Sequence, residues 1–159
     1  MIRAWIVGTE GVIARLDQIP GKVAAALRQA VEAEAIKLTA YVKEQKLSGQ
    51  ALKTQTGTLQ SSINYQLQDE GDRIAATVGT NVVYAGIHEY GGTTRAHVIE
   101  ARKGKALAFQ MGGQTVFFKR VNHPRSHMPE RSFLRSALEE NAGSIRDALE
   151  RAVAEGVKA

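Results

Sequence analysis

The chain is organised around one short stretch, Tyr84-Ala85-Gly86-Ile87-His88-Glu89-Tyr90-Gly91-Gly92. Its apolar and small residues follow neither the period of two that a strand needs nor the regular period of a long helix. Two glycines close it, and glycine readily adopts the positive φ at which many helices end. We therefore predict a single helical turn here, wedged between two pairs of antiparallel strands.

Alternating residues before this stretch predict antiparallel strands. Residues 63–68 and 74–78 alternate apolar and polar side chains, and the segment 69–72 between them contains a glycine. Period-two segments joined by a short glycine turn are typical of a hairpin. Residues 2–7 alternate in the same way and predict a further strand.

Three segments after the stretch also have strand character, residues 97–101, 106–110 and 115–120. Glycine-containing segments separate them, 102–105 and 111–114, and both are interpreted as turns. We read 102–105 as the tip of a basic hairpin. Together with the earlier strands, these segments predict an antiparallel sheet of about five or six strands.

A long amphipathic helix is predicted from Pro20 to about Leu47, because apolar residues recur there every three or four positions and proline suits a first helical turn. At 1.5 Å per residue this helix would be about 40 Å long, longer than the core of such a domain is wide. We therefore expect one end to overhang or to pack on a partner. Residues 134–153 predict a second amphipathic helix near the C-terminal end.

Two shorter helical segments complete the prediction. Residues 10–18 have helical spacing, and residues 57–63 predict a helical turn capped by Thr58. The resulting fold class is α+β, an antiparallel sheet packed against a long N-terminal helix and a C-terminal helix. We expect residues 1–159 to form a single domain whose last residues, 155–159, fray.

Composition excludes several classes of protein. The chain has no cysteine, so disulfides and thiolate metal sites are excluded. It has no apolar run of the roughly 18 residues that would span a membrane, and its apolar N-terminus is too short for a signal peptide. We therefore expect a protein made in the cytoplasm, with no membrane partner.

The positive charge is concentrated in one quarter of the chain. Residues 91–127 contain seven Lys or Arg residues and one acidic residue, Glu100, although the whole chain has a net charge of only +5. This asymmetry predicts contact with DNA or with an acidic partner protein. The alternative is a solvated hairpin edge whose charges discourage aggregation. The candidate contact residues are Arg102, Lys103, Lys105, Lys119, Arg120 and Arg125.

Known catalytic and metal-binding motifs do not match. His88-Glu89 begins like a zinc-protease helix, but that motif needs a second histidine four residues after the first, where this chain has Gly92. A metal held by His97, His123 and His127 is a weaker alternative, because scattered loop histidines are more often bystanders. We predict no catalytic, cofactor-binding or metal-binding residue, and no cofactor.

Glu89 and the aromatic residues have structural interpretations as well as functional ones. No second carboxylate is placed near Glu89, so a salt bridge or a helix-cap hydrogen bond explains it better than acid-base catalysis. Aromatic residues alternate with basic ones, as in surfaces that stack on nucleic-acid bases. Because Phe117 and Phe118 are adjacent in a strand, they must face opposite ways, and at most one of them can serve such a surface.

Three segments, 56–63, 83–91 and 128–138, follow one another in an order and spacing that resembles the tail-completion, or head–tail joining, minor tail proteins of tailed bacteriophages. Two family prolines are replaced by Ser132 and Ser136. The residues that carry the resemblance are Gly57, Leu59, Ser62, Tyr84, Ala85, Glu89, Tyr90, Gly91, Pro129, Arg131, Phe133 and Leu134.

The resemblance implies a structural virion protein, not an enzyme. Such a subunit assembles in the host cytoplasm as a ring of six copies at the head-proximal end of the tail, next to other neck and tail proteins, where DNA passes through the axis. A stand-alone basic nucleic-acid-binding protein is the main alternative, and a small hydrolase built on His88 and Glu89 is a weaker one. The mass of the assembled particle distinguishes the ring from both.

Overall fold

The structure is a computed structural model that describes residues 2–7, 21–53, 56–70, 73–101 and 104–158. The helix predicted at 10–18, Arg102 and Lys103 lie outside these residues.

The helices are α1 (Gly21–Tyr41), α2 (Thr58–Ser62), α3 (Ala85–Tyr90) and α4 (Arg135–Lys158), and a π-helical turn (Val42–Lys46) continues α1. The strands are β1 (Ile2–Val7), β2 (Asn64–Asp69), β3 (Ile74–Thr80), β4 (Gly92–Thr93), β5 (His97–Glu100), β6 (Leu107–Met111), β7 (Gln114–Phe118), β8 (Arg120–His123) and β9 (His127–Met128).

The α+β class and both amphipathic helices are confirmed, and the predicted hairpin is β2 paired with β3. Strand β1 pairs with the other edge of β3, which gives a three-stranded antiparallel sheet in the order β1-β3-β2. Because β3 is central, residues 75–80 are all buried, and the simple alternation seen in its sequence does not separate an inner from an outer face.

Helices α1 and α4 pack against each other, and α1 also covers the sheet at β3 and β2. The core contains side chains of both helices and of the sheet, among them Leu38, Val78 and Leu149. Val23 and Leu47, near the two ends of the α1 and π-turn segment, are both buried. The expected overhang of this helix is therefore wrong, because α4 runs antiparallel beside it over its length.

The prediction of a single sheet with five or six strands is wrong, because the remaining strands pair separately. They form three two-stranded ladders, β4–β9, β5–β8 and β6–β7, none of which joins the three-stranded sheet. The register of β4–β9 continues into β5–β8, since Thr93 lies opposite His127 and His97 opposite His123. Residues 92–128 thus form one long interrupted hairpin, here called the β-arm.

The β-arm also corrects the position of the hairpin tip. The N–H of Ala101 donates to the carbonyl of Lys119, and the next pair outward is Leu107 with Phe118. Between these two pairs, Ala101 and Leu107 are separated by five residues, whereas Lys119 and Phe118 are adjacent in the chain. The segment 102–106 is an insertion between β5 and β6 in this register, of which the structure describes 104–106. The tip lies instead at Gly112 and Gly113, whose φ values of 60° and 81° suit the two-residue turns of hairpins.

A polar link fastens the C-terminal end of the α1 segment to the start of α4. Lys46, almost fully buried in the π turn, donates to one carboxylate oxygen of Glu140 at 2.6 Å, and the Tyr41 hydroxyl donates to the other at 2.8 Å. These hydrogen bonds from Lys46 and Tyr41 hold the pKa of Glu140 below its usual range. The same bond to Glu140 raises the pKa of Tyr41.

The opposite ends of the two helices meet at a glycine. A Cβ on Gly156 would lie 2.8 Å from Cα of Val23, closer than real side chains approach a backbone. Helix α4 continues to Lys158, and its last turn can contact α1 at this position only without a side chain.

We expect Gly156→Ala to destabilise the protein by about 1–3 kcal/mol, because overpacking at a backbone contact forces the helices apart. Gly143→Ala is the matched control, since a Cβ at this other α4 glycine meets nothing within 4 Å. It should stabilise by up to about 1 kcal/mol through helix propensity. Urea unfolding of both variants measures the difference. Equal effects at the two positions would contradict close packing at Gly156.

Candidate functional site

The three segments that carry the family resemblance converge on helix α3. Three of their residues enter the core and fix the relative positions of the segments, namely Ile63, Ala85 and Phe133, each at most 1% exposed. The N–H of Arg131 donates to the carbonyl of His88 at 2.8 Å, which joins the second segment to the third. The segments therefore form one contiguous region.

Glu89 is the centre of this region. Its carboxylate is buried and accepts hydrogen bonds from the backbone N–H groups of Phe133, Leu134 and Arg135 at 2.8–2.9 Å. These groups lie at the start of α4, where backbone donors lack partners within the helix and where negative charge is favoured. The cap interpretation of Glu89 is confirmed, with a helix more than 40 residues away in sequence.

Ser132 and Ser136, which replace the two family prolines, also contribute hydrogen bonds. The Ser132 hydroxyl donates to Glu89 at 2.7 Å and accepts from the N–H of Ser136 at 3.1 Å. The Ser136 hydroxyl in turn donates to the carbonyl of Ser132 at 2.7 Å. Sequence analysis treated these serines only as departures from a pattern, whereas the first of them caps α4.

Gly91 ends α3 as predicted, with φ of 68°. A Cβ at this position would also lie 2.8 Å from the backbone nitrogen of Glu130. Two requirements therefore coincide here, the positive φ and the close passage of the segment before α4. Both depend on Gly91 having no side chain.

Helix α2 connects to the region through side-chain hydrogen bonds. The prediction that Thr58 caps this helix is wrong. The capping position is Gly57, with φ of 76°, and Thr58 is the first helical residue. The Ser62 hydroxyl lies 2.6 Å from that of Thr80, at the end of β3. Gln60 donates to the carbonyl of Lys43 in the π turn at 2.7 Å.

A cavity of about 360 Å³ opens between these elements. Residues from all three resembling segments line it, together with the end of the π turn; they include Leu47, Lys53, Leu59, Tyr84, His88 and Arg131. Among the described residues, Lys53 and Arg131 have no ion-pair partner within 4.0 Å, and Nδ1 of His88 is buried without a hydrogen-bond partner. Sequence analysis did not identify Lys53, because no pattern connects it to the other residues.

The other residues of the resemblance divide between packing and surface. Leu134 is buried, and Leu59 packs on the edge of the core. Tyr84 and Tyr90 are 46% and 59% exposed, and Pro129 is also exposed. These three residues contribute exposed surface and not core packing.

Four of the six predicted basic contact residues belong to the described part of the chain, and they lie along the β-arm. Lys105, Lys119, Arg120 and Arg125 are exposed. Lys105 lies in the insertion and Lys119 lies opposite its start, so these charges gather at the middle of the arm rather than at a tip.

The histidines considered as metal ligands are only partly brought together. The rings of His97 and His123 stack across β5–β8 with centroids 5.0 Å apart, while His127 lies further along the strand in β9. Nowhere in the described ranges do three His, Asp or Glu residues form a group that could hold a metal ion. No helix within them is long and apolar enough to cross a membrane.

We expect Glu89→Gln to destabilise the protein by on the order of 3 kcal/mol, because a neutral amide accepts less well and part of the buried backbone donors of α4 lose their partner. Glu130→Gln is the matched control, since Glu130 is half exposed and pairs with Arg135 at the surface. Its cost should stay below about 1 kcal/mol. Thermal and urea unfolding compare the two variants. A Glu89 variant as stable as the control would refute the cap.

Comparison with known protein families gives one match. The profile of the Phage virion morphogenesis family matches residues 23–154, which extend from the first turn of α1 to near the end of α4. Searches among curated proteins and among solved structures gave no significant match. The matched region includes the β-arm, the cavity and the Glu89 cap, and it covers well over half of the chain. The chain therefore belongs to the phage virion morphogenesis family.

Proposed function

We propose that this virion morphogenesis protein acts in tail completion and head–tail joining, as a subunit of a ring of six copies at the neck, at the head-proximal end of the tail. Family membership makes it a structural component of a phage virion. The position in the tail and the assembly into a ring go beyond family membership. These two parts of the proposal rest on the sequence resemblance together with the β-arm.

The β-arm is the observation that carries this proposal. Among the described elements, strands β5 to β8 make no extensive contact with any helix or with the three-stranded sheet. An isolated two-stranded hairpin is only marginally stable in water. The arm also exposes Val98, Ile99, Phe109, Met111, Phe117 and Phe118. A monomer gains nothing from this surface, whereas a subunit of an assembly buries it against neighbours.

Contact with DNA in the axis is a further part of the proposal. The charge of the chain favours it, because the net charge of +5 arises entirely within residues 91–127. An acidic face of a neighbouring neck or tail protein would use the same charges. The stand-alone nucleic-acid-binding protein also shares this feature, but it does not account for the exposed apolar side chains of the arm.

The ring is tested by mass. Light scattering of the purified chain at high micromolar concentration, and cryo-imaging of complete tails, should show an oligomer that forms a closed ring at the head-proximal end. A ring subunit needs two complementary surfaces that close on each other, so a discrete mass is expected rather than an open series. A chain that is monomeric in solution and absent from purified tails would contradict the proposal.

The role of the basic residues between β5 and β6, here called the basic segment, is tested by removing their charges. We expect replacement of Arg102, Lys103 and Lys105 by Gln to leave the subunit folded and to reduce the yield of infectious particles. If the partner is DNA, nonspecific binding of the wild type should weaken steeply with salt. The slope of that dependence should fall by about one unit for each phosphate that the variant no longer neutralises.

The matched control replaces three exposed basic residues of the body, Arg73, Arg146 and Arg151, with Gln, which changes the net charge equally. It should leave both particle yield and the salt slope near the wild-type values. A segment variant that yields as many infectious particles as this control would show that the segment is only a solvated edge.

A further inference from the structure

The outer part of the β-arm differs chemically from its base. Residues 107–118, which comprise β6, the two-glycine turn and β7, include no charged side chain. The basic residues of the arm begin immediately outside this segment, at Lys105 and Lys119. This uncharged segment, here called the distal hairpin, therefore has a partner preference that the basic residues do not explain.

One face of the distal hairpin is predominantly apolar. Cross-strand partners share a face, and alternate residues of a strand do so too. The pairs Leu107 with Phe118 and Phe109 with Val116 therefore lie on the same side, together with Met111 and its partner Gln114 at the turn. The rings of Phe109 and Phe118 stack with centroids 5.6 Å apart, within the range of favourable aromatic pairs.

This face is exposed although it has the composition of a core. Phe109, Met111 and Phe118 are 37%, 55% and 44% exposed, and no other described element packs extensively on β6 or β7. The opposite face carries the polar pair of Gln110 and Thr115 beside the pair of Ala108 and Phe117, so it is the more polar of the two faces. The hairpin is thus amphipathic and lacks the surface that would complete it.

The edges of the distal hairpin are also unpaired within the described part of the chain. Strands β6 and β7 pair only with each other, so each leaves one row of backbone N–H and C=O groups without a strand partner. The two strands are antiparallel, so β7 of one copy placed beside β6 of the next would again form an antiparallel pair. Identical hairpins can therefore add edge to edge around a common axis.

We propose that the distal hairpin is the surface through which copies of this chain bind one another, with the apolar side chains of Leu107, Phe109, Met111, Val116 and Phe118 buried between neighbouring copies. This inference rests on the proposed self-association of the chain and names the interface that produces it. A second copy is the favoured occupant because the segment is uncharged. Two copies of an uncharged hairpin can approach each other without repulsion between like charges.

Other occupants fit the same segment less well. Binding to DNA depends on cations that neutralise phosphates, and the distal hairpin supplies none. A strongly charged protein surface would lose its hydration against these side chains without gaining an ion pair. A lipid surface would accept the apolar face, and the experiment includes it as an outcome that overturns the proposal.

The test compares two adjacent phenylalanines. Phe118→Ser changes the apolar face, whereas Phe117→Ser changes the opposite face, where Phe117 is 68% exposed. Both remove the same side chain from the same strand. Sedimentation of each full-length variant across a concentration series should show association weakened at least tenfold by Phe118→Ser and by less than threefold by Phe117→Ser. Equal effects would overturn the proposal, since a general decrease in apolar surface or unfolding of the hairpin would then explain them.

A charge-swap experiment distinguishes a disrupted interface from a misfolded subunit. Met111→Lys and Met111→Glu each place a charge on the exposed tip of the apolar face, where the monomer tolerates it. Each variant alone should fail to associate, and an equimolar mixture should regain association, because neighbouring tips then carry opposite charges. Failure of the mixture to recover, although the wild type associates, would refute this interface.

The outcomes also separate this inference from the proposed function. If the wild type neither associates in solution nor forms a ring on tails, the proposed function fails. If it associates and Phe118→Ser associates equally well, only the inference about the distal hairpin fails. Flotation with vesicles of mixed neutral and anionic lipids, abolished in Phe118→Ser and kept in Phe117→Ser, would identify a lipid surface as the occupant instead.

Discussion

The buried carboxylate of Glu89 is the constraint on which the arrangement of this protein depends. It places one charge against three backbone donors at the start of α4 and thereby fixes the distance and orientation between α3 and α4. Helix α4 then packs along α1 and closes the core. Since α3 also leads directly into the β-arm, the same set of hydrogen bonds holds the helix from which the arm begins.

The protein is accordingly divided into a packed body and an unpacked arm. In the body, the two long helices and the three-stranded sheet bury the apolar side chains, and the link between buried Lys46 and half-exposed Glu140 joins the helices near one end. In the arm, the apolar side chains face solvent. This division is what one expects of an assembly subunit, because its body must fold before assembly while its arm is completed by neighbours.

The expected overhang of the long N-terminal helix is wrong for an identifiable reason. The long N-terminal helix was expected to overhang because its length was compared with the width of a domain core. Helix α4 has 24 residues against the 21 of α1, and it covers α1 from Val23 to the π turn. Exposed apolar side chains remain along the β-arm, whose alternating residues predict strands of the central sheet. Alternation alone cannot distinguish a strand of a sheet from a strand of a protruding hairpin.

By itself, the sequence determined the α+β class, the long helices, the β2–β3 hairpin, the helical turn at α3 with its glycine end, and the resemblance to phage tail proteins. All of these depend on local periodicity, on glycine conformation or on short motifs. Only the tertiary structure decided which elements meet: Glu89 with the start of α4, Gly156 with Val23, and the hairpin tip at Gly112 and Gly113 rather than at 102–105. The physical reason is that these arrangements join residues far apart in sequence or depend on strand register, and no local pattern records either.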